Sequence, residues 1–214
     1  MQNPWKKIDL SDYESHMSFE TVRQLQALNS MMKIQFGKYT AGSVMILGAA
    51  GGNGLEHIDT DKIQNVYAVD INPDYLEQCR ARHADLNGIL ECLCLDLTRN
   101  DITLPHCDLV TADLLIEYIG CGCFQRVIEK IKPIYISCII QADGEKQSFV
   151  SDSPYLHAFD GLDTIHSQIS AEELKTAVEE INYRLTETAE RVLPNGKKLV
   201  MLDFVVSGKC QQEI

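Results

Sequence analysis

Four glycines and one carboxylate carry the clearest chemistry in this chain. Gly48-Ala49-Ala50-Gly51-Gly52 follows the apolar run 43–47, Gly54 lies just beyond, and Asp70 ends a second apolar run that begins at Asn65. Glycines at the carboxyl end of a strand let the backbone turn sharply and approach a ligand that a Cβ would push away. Asp70 stands 22 residues after Gly48, and a carboxylate at about 20 residues typically accepts hydrogen bonds from a ribose. Together they point to a nucleoside-bearing cofactor, although Asp70 could also simply cap the segment ahead of Asn72-Pro73.

The loop does not spell the dinucleotide fingerprint G-x-G-x-x-G. Counted from Gly48 it fails at Ala50 and Asn53, and counted from Gly52 it fails at His57. No Gly-Lys-Ser/Thr follows, so the phosphate loop of nucleotide hydrolases is excluded as well. A nucleoside ligand without a pyrophosphate remains.

The elements that must position these residues alternate between strand and helix patterns, which predicts an open, mostly parallel sheet. A helix is expected from Ser18 as N-cap to Gly37, with Val22, Leu25, Leu28 and Met32 on one face. After the strand over 43–47, a short helix begins near Gly52 with Leu55 and Ile58 facing inward. The second strand ends at Asp70, and Asn72-Pro73 opens a helix with Asn as cap and Pro at the first position. Further strands are expected over 89–95, 108–112 and 134–141, and a helix over 124–132 stops at Pro133. Ser170-x-x-Glu173 is a capping box ahead of Leu174, Val178 and Ile181. The segments 183–192 and 198–206 are joined through Pro194-Asn195-Gly196, so they must pair as an antiparallel hairpin. Residues 142–169 show no period and read as a loop over a binding site.

The chain has 214 residues, 45% of them hydrophobic, enough for one domain with a real core. Its net charge of −12 argues against a nucleic-acid partner. The apolar runs are too short to span a membrane, and the N-terminus has no secretory pattern, so a cytoplasmic protein is expected. Cys92, Cys94, Cys107 and Cys138 fall in apolar runs and read as buried, reduced thiols. Cys121-Gly122-Cys123 lacks the spacing of a metal motif, and no metal site is expected.

On these residues the chain resembles the class I S-adenosylmethionine-dependent methyltransferases from about Ser43 onward. The resemblance implies a Rossmann-like α/β fold: an open sheet of about seven mostly parallel strands, an antiparallel C-terminal hairpin, and helices on both faces. It also implies a single domain over 1–214, with 1–40 as an N-terminal helical cap and 142–169 on the substrate side. Cofactor contacts then fall to Gly48, Ala49, Ala50, Gly51, Gly52, Asp70 and Ile71, with Asp96 and Leu97 at the adenine and Asp113 at the cofactor or substrate. Two positions depart from the family pattern. Ile46 stands where an acidic residue usually contacts the methionine amino group, and Ala50 replaces a motif glycine. Glu56, Asp113 or carbonyls near Ala112 are the alternatives for that amino group. The implied function is methyl transfer from S-adenosylmethionine to a small-molecule acceptor. Glu117 and Tyr118 lie where acceptor and methyl should meet, and Glu117, Tyr13 and His16 are the candidate bases. The alternatives are an NAD(P)-dependent oxidoreductase and a module that binds S-adenosylmethionine without catalysis. The acceptor and the oligomeric state stay open.

Overall fold

The computed structural model describes residues 3–142 and 148–208. Seven strands form one sheet: β1 (Ser43–Leu47), β2 (Asn65–Asp70), β3 (Leu90–Cys94), β4 (Leu109–Asp113), β5 (Tyr135–Ala142), β6 (Tyr183–Val192) and β7 (Lys198–Val206). Their order is β3-β2-β1-β4-β5-β7-β6. The first five pair in parallel, and β7 lies antiparallel to both β5 and β6. The expected open sheet and terminal hairpin are both present.

The helices are α1 (Leu10–Ser18), α2 (Gln24–Lys38), α3 (Pro73–Arg82), α4 (Ile116–Ile119), α5 (Cys121–Ile131) and α6 (Ala171–Glu180). Alternation along β1 sorts them onto two faces. Met45 and Leu47 pack with Phe124, Val127, Ile128 and Leu174 of α5 and α6. Val44 and Ile46 pack with Met32, Phe36 and Leu76 of α2 and α3. On α5 the buried residues Phe124, Val127, Ile128 and Ile131 recur at helical spacing, each contributing about 1.5–3 kcal/mol of burial.

Local signals set several boundaries as read. Asn72 accepts a hydrogen bond from the Asp74 N–H at 3.0 Å, and Ser170 Oγ accepts from the Glu173 N–H at 3.1 Å, so both helices are capped. The short helix after β1 is a single 3-10 turn, Leu55–His57.

Ser18 is a correction. It ends α1 instead of capping a long helix, and the chain turns through Arg23 in the left-handed region (φ 51) before α2 begins. Val22 is buried in that turn, outside any helix. The start of α1 is fixed by Asp9, whose carboxylate accepts from the Ser11 N–H at 2.8 Å. Cys94 is a second correction: it is exposed, because β3 is an edge strand. Among the described residues no helix is long and apolar enough to cross a membrane.

Candidate active site

The carboxyl ends of β1, β2 and β4 meet where the strand order reverses, the place at which open α/β sheets hold ligands. A cleft lies there, with about 710 Å³ of empty space including the part open to solvent. A second chamber of about 490 Å³ and a third of about 450 Å³ share walls with it. Tyr13 borders all three.

The turn after β1 is built for close approach. Gly48 has φ +75, and a Cβ there would sit 3.3 Å from the Leu115 side chain. Ala50 also lies in the left-handed region, at φ 46, a conformation costing an L-residue about 1–2 kcal/mol. That conformation goes with an Ala50 N–H donating to Asp70 Oδ2 at 2.9 Å. The Asn72 N–H donates to Oδ1 at 2.9 Å. The Asp70 carboxylate, 9% exposed, is therefore fixed at both oxygens while each keeps a further lone pair toward the cleft. Burial pushes its pKa up, and the backbone donors oppose the shift.

Gly48, Ala50, Asp70, Ile71, Asp96, Leu97 and Asp113 all line the main cleft. Ala49 and Gly51 border the third chamber. Gly52 is not brought to any of the three. Its absent Cβ would lie 2.8 Å from Cys79 Sγ and from the His83 ring, so this glycine serves packing against α3. Asp96 Oδ1 accepts from the Thr98 N–H at 3.0 Å and the Thr98 hydroxyl at 2.6 Å; it caps the next turn and also faces the cleft.

Asp113 ends β4 on the wall between the main cleft and the third chamber. Gln35, fully buried on α2, donates from Nε2 to Asp113 Oδ1 at 2.9 Å. Among the described residues no donor reaches Asp113 Oδ2 or Gln35 Oε1. Desolvation raises the Asp113 pKa to about 7, the Gln35 side-chain bond and the Ile139 backbone bond lower it in part, and Glu117 and Asp203 raise it further. Glu56 is turned to Asn29 Nδ2 at 2.6 Å and borders none of the three chambers.

The second chamber is walled by Trp5, Tyr13, Tyr118, Phe149, Phe159 and His166. Trp5 meets Tyr13 and Tyr118 edge-on, with centroids 5.8 and 5.0 Å apart, and it lines both the main cleft and the second chamber. His166, half-buried, stacks on Phe149 at 3.9 Å and forms part of the chamber wall. Glu117, 3% exposed, accepts from the Gln141 N–H at 2.8 Å and faces the same chamber.

The three candidate bases differ in what they can do. Burial, reinforced by the charges of Asp70, Glu14 and Asp113, holds the Tyr13 phenol far above its ordinary pKa, so it stays protonated and can hydrogen-bond but not serve as a base. His16 is lowered to about 4, first by desolvation and then by Lys197, and its Nδ1 lies 2.7 Å from Ser153 Oγ; it is neutral at pH 7 and a weak base. Glu117 is the carboxylate among the three.

Sequence reasoning missed Gln35, Phe149, Phe159 and Leu114. The last is strained (φ 54) directly after Asp113. A polar Gln35 between Met32 and Phe36 on the buried face of α2 was the one available signal.

No protein-family model and no curated protein matches the sequence. Solved structures do share its fold. The N-methyltransferase NodS from Bradyrhizobium japonicum, in complex with S-adenosylhomocysteine, superposes with a TM-score of 0.65 at 11% identity, over 92% of this chain and 97% of that one. Magnesium protoporphyrin IX methyltransferase ChlM from Synechocystis, with bound S-adenosylmethionine, gives 0.61 at 10% identity, over 95% and 90%. The [4+2]-cyclase SpnF gives 0.64 at 8% identity, over 87% and 83%. At such identities the likeness establishes the Rossmann-like methyltransferase fold, and the activity has to be argued from the site.

Proposed function

We propose that this protein is an S-adenosylmethionine-dependent methyltransferase acting on a small molecule. The observation that carries this reading is the Asp70 carboxylate, fixed by two backbone donors at the end of β2 beside the Gly48–Ala50 turn and open to the cleft. The residues fit the cofactor: Asp70 for the ribose hydroxyls, Ile71, Asp96 and Leu97 around the base, and Gly48 and Ala50 at the closest approach. Two of the similar structures hold S-adenosylmethionine or S-adenosylhomocysteine, which supports the same assignment. Nothing in the geometry favours the oxidoreductase alternative.

When bound, the cofactor supplies an electrophilic methyl group on a sulfonium. The chain's own contribution is placement, because holding nucleophile and methyl close and aligned removes much of the barrier. Tyr13, at the junction of the three chambers, orients by donating from its phenol. Trp5, Tyr118 and Phe149 exclude water and pack an acceptor. Glu117 accepts a proton if the acceptor must lose one. The N-terminal segment 1–40, with Trp5 and Tyr13 over the cleft, acts as a cap on a single domain, and 142–169 forms the substrate side; residues 1–2 and 143–147 of these segments lie outside the described residues. We place the protein in the cytoplasm, where a reducing milieu keeps the seven described cysteines as thiols.

The test is to supply methyl-labelled donor with the low-mass fraction of a cell extract and follow the label. Transfer into low-mass products by the wild type and not by Asp70→Asn is expected. Label confined to protein or nucleic acid, or donor bound and never consumed, contradicts the reading.

A further inference from the structure

We infer that the second chamber receives the acceptor as an organic ammonium, so that the methyl group passes to an amine nitrogen. The inference rests on the methyltransferase reading above and deepens it by naming the acceptor's chemical class.

Three aromatic rings border both the second chamber and the main cleft: Trp5, Tyr13 and Tyr118. The two tyrosine rings stand nearly perpendicular to the indole, at 81° and 89°. Tyr13 stays a neutral phenol, so it offers a ring and not a charge. A cation over the face of such rings is attracted by their quadrupoles, the more so where water is excluded.

The charge on the walls has one sign. Glu117 is the one carboxylate among the residues lining the second chamber. The Gln141 N–H holds its Oε1 at 2.8 Å, and its Oε2 is shielded from solvent. A charge buried in this way is weakly screened, so it biases the chamber toward cations. Among the described residues that line the chamber and the main cleft there is neither Lys nor Arg. Lys197, whose charge reaches His16, lies outside both linings, its ammonium donating to the Ser148 and Phe149 carbonyls at 2.6 and 2.7 Å. His16 itself is neutral at pH 7.

An acceptor that is or becomes an anion, such as a carboxylate or a phenolate, would face Glu117 with no lining Lys or Arg to offset it. A neutral alcohol gains only its burial. An ammonium gains from the rings and from the carboxylate together. Once it sheds a proton, which ends in solvent, the amine lone pair forms the N–C bond while the methyl's C–S bond breaks with its electron pair to sulfur.

The experiment titrates three matched probes, by calorimetry at neutral pH, into protein saturated with S-adenosylhomocysteine, which carries no sulfonium charge. The probes are phenethylamine, phenethyl alcohol and phenylacetate. The wild type should bind phenethylamine about 3- to 30-fold tighter than the alcohol, the range of a cation over rings, and phenylacetate weakest. Glu117→Gln, which keeps an acceptor for the Gln141 N–H, and Trp5→Leu should each erode that preference, and Trp5→Phe should retain it. An alcohol or carboxylate bound as tightly as the amine overturns the inference without any variant. So does a preference that survives both Glu117→Gln and Trp5→Leu, binding of no probe, or methyl label from S-adenosylmethionine appearing on either oxygen probe. In each of these cases bound S-adenosylhomocysteine leaves the cofactor assignment standing. Failure of S-adenosylhomocysteine to bind removes that assignment, and the acceptor role of the chamber with it.

Discussion

Replacing Asp113 with asparagine should flatten the fall in folding stability of the unliganded protein between about pH 4 and pH 7. In the unfolded chain this carboxyl titrates near 3.8, and in the folded state near 7. Between those values the folded state holds a proton that the unfolded state has released, so stability falls as pH rises and levels off above about 7. From pH 5 to pH 8 the fold therefore loses about two units' worth of linkage, at roughly 1.36 kcal/mol per unit. Partial solvent screening at the cleft wall reduces this to about 1 to 3 kcal/mol. Asparagine carries no charge and still accepts the Gln35 bond, so it removes the loss. Urea unfolding of both proteins at pH 5 and pH 8 reads the difference directly, with Asp113→Asn gaining on the wild type as pH rises. Parallel stability curves over that interval would refute a carboxyl desolvated in the folded state.

Other substitutions have equally definite outcomes. Ala50→Gly relieves an alanine at φ 46 and should stabilise the protein by about 1 kcal/mol in urea unfolding, whereas Gly52→Ala drives a Cβ to 2.8 Å from Cys79 Sγ and should destabilise it by about 1–3 kcal/mol. His16, buried and lowered to about 4, acts on the acid side: below 6.5 the unfolded chain binds a proton that the folded state refuses. Stability should therefore fall as pH drops from 6.5 toward 4, and His16→Gln should flatten that limb. Glu117→Gln keeps an acceptor for the Gln141 N–H but removes the carboxylate; methyl transfer to an acceptor that must lose a proton should fall by about 100-fold, with donor binding unchanged by calorimetry.

What could be read in the sequence was what short-range chemistry decides. Asn72-Pro73, the Ser170 box and the Pro194-Asn195-Gly196 turn each specify their own backbone, and the hairpin follows from the last of these. Asp70 was legible because its loop and its strand lie within one βαβ-like unit. The break between α1 and α2 was not, because the apolar period of Leu25, Leu28 and Met32 runs back through Val22 without interruption; only the Asp9 cap marked the earlier helix. Gln35 lies 78 residues from the carboxylate it holds, so its role exists only once β4 is placed beside β1. The aromatic chamber draws on 5–24, 114–118, Gln141 and 149–166, and no local pattern announces such an assembly. Strand order likewise decides that Cys94 is exposed at an edge.

The most direct test of the account is calorimetric titration of S-adenosylhomocysteine and, separately, NAD into the wild type and Asp70→Asn. The account predicts saturable binding of S-adenosylhomocysteine, at least about 100-fold weaker in Asp70→Asn for the loss of two charge-assisted hydrogen bonds, and no heat from NAD. Binding of NAD in place of S-adenosylhomocysteine, or an affinity that Asp70→Asn leaves unchanged, would contradict it.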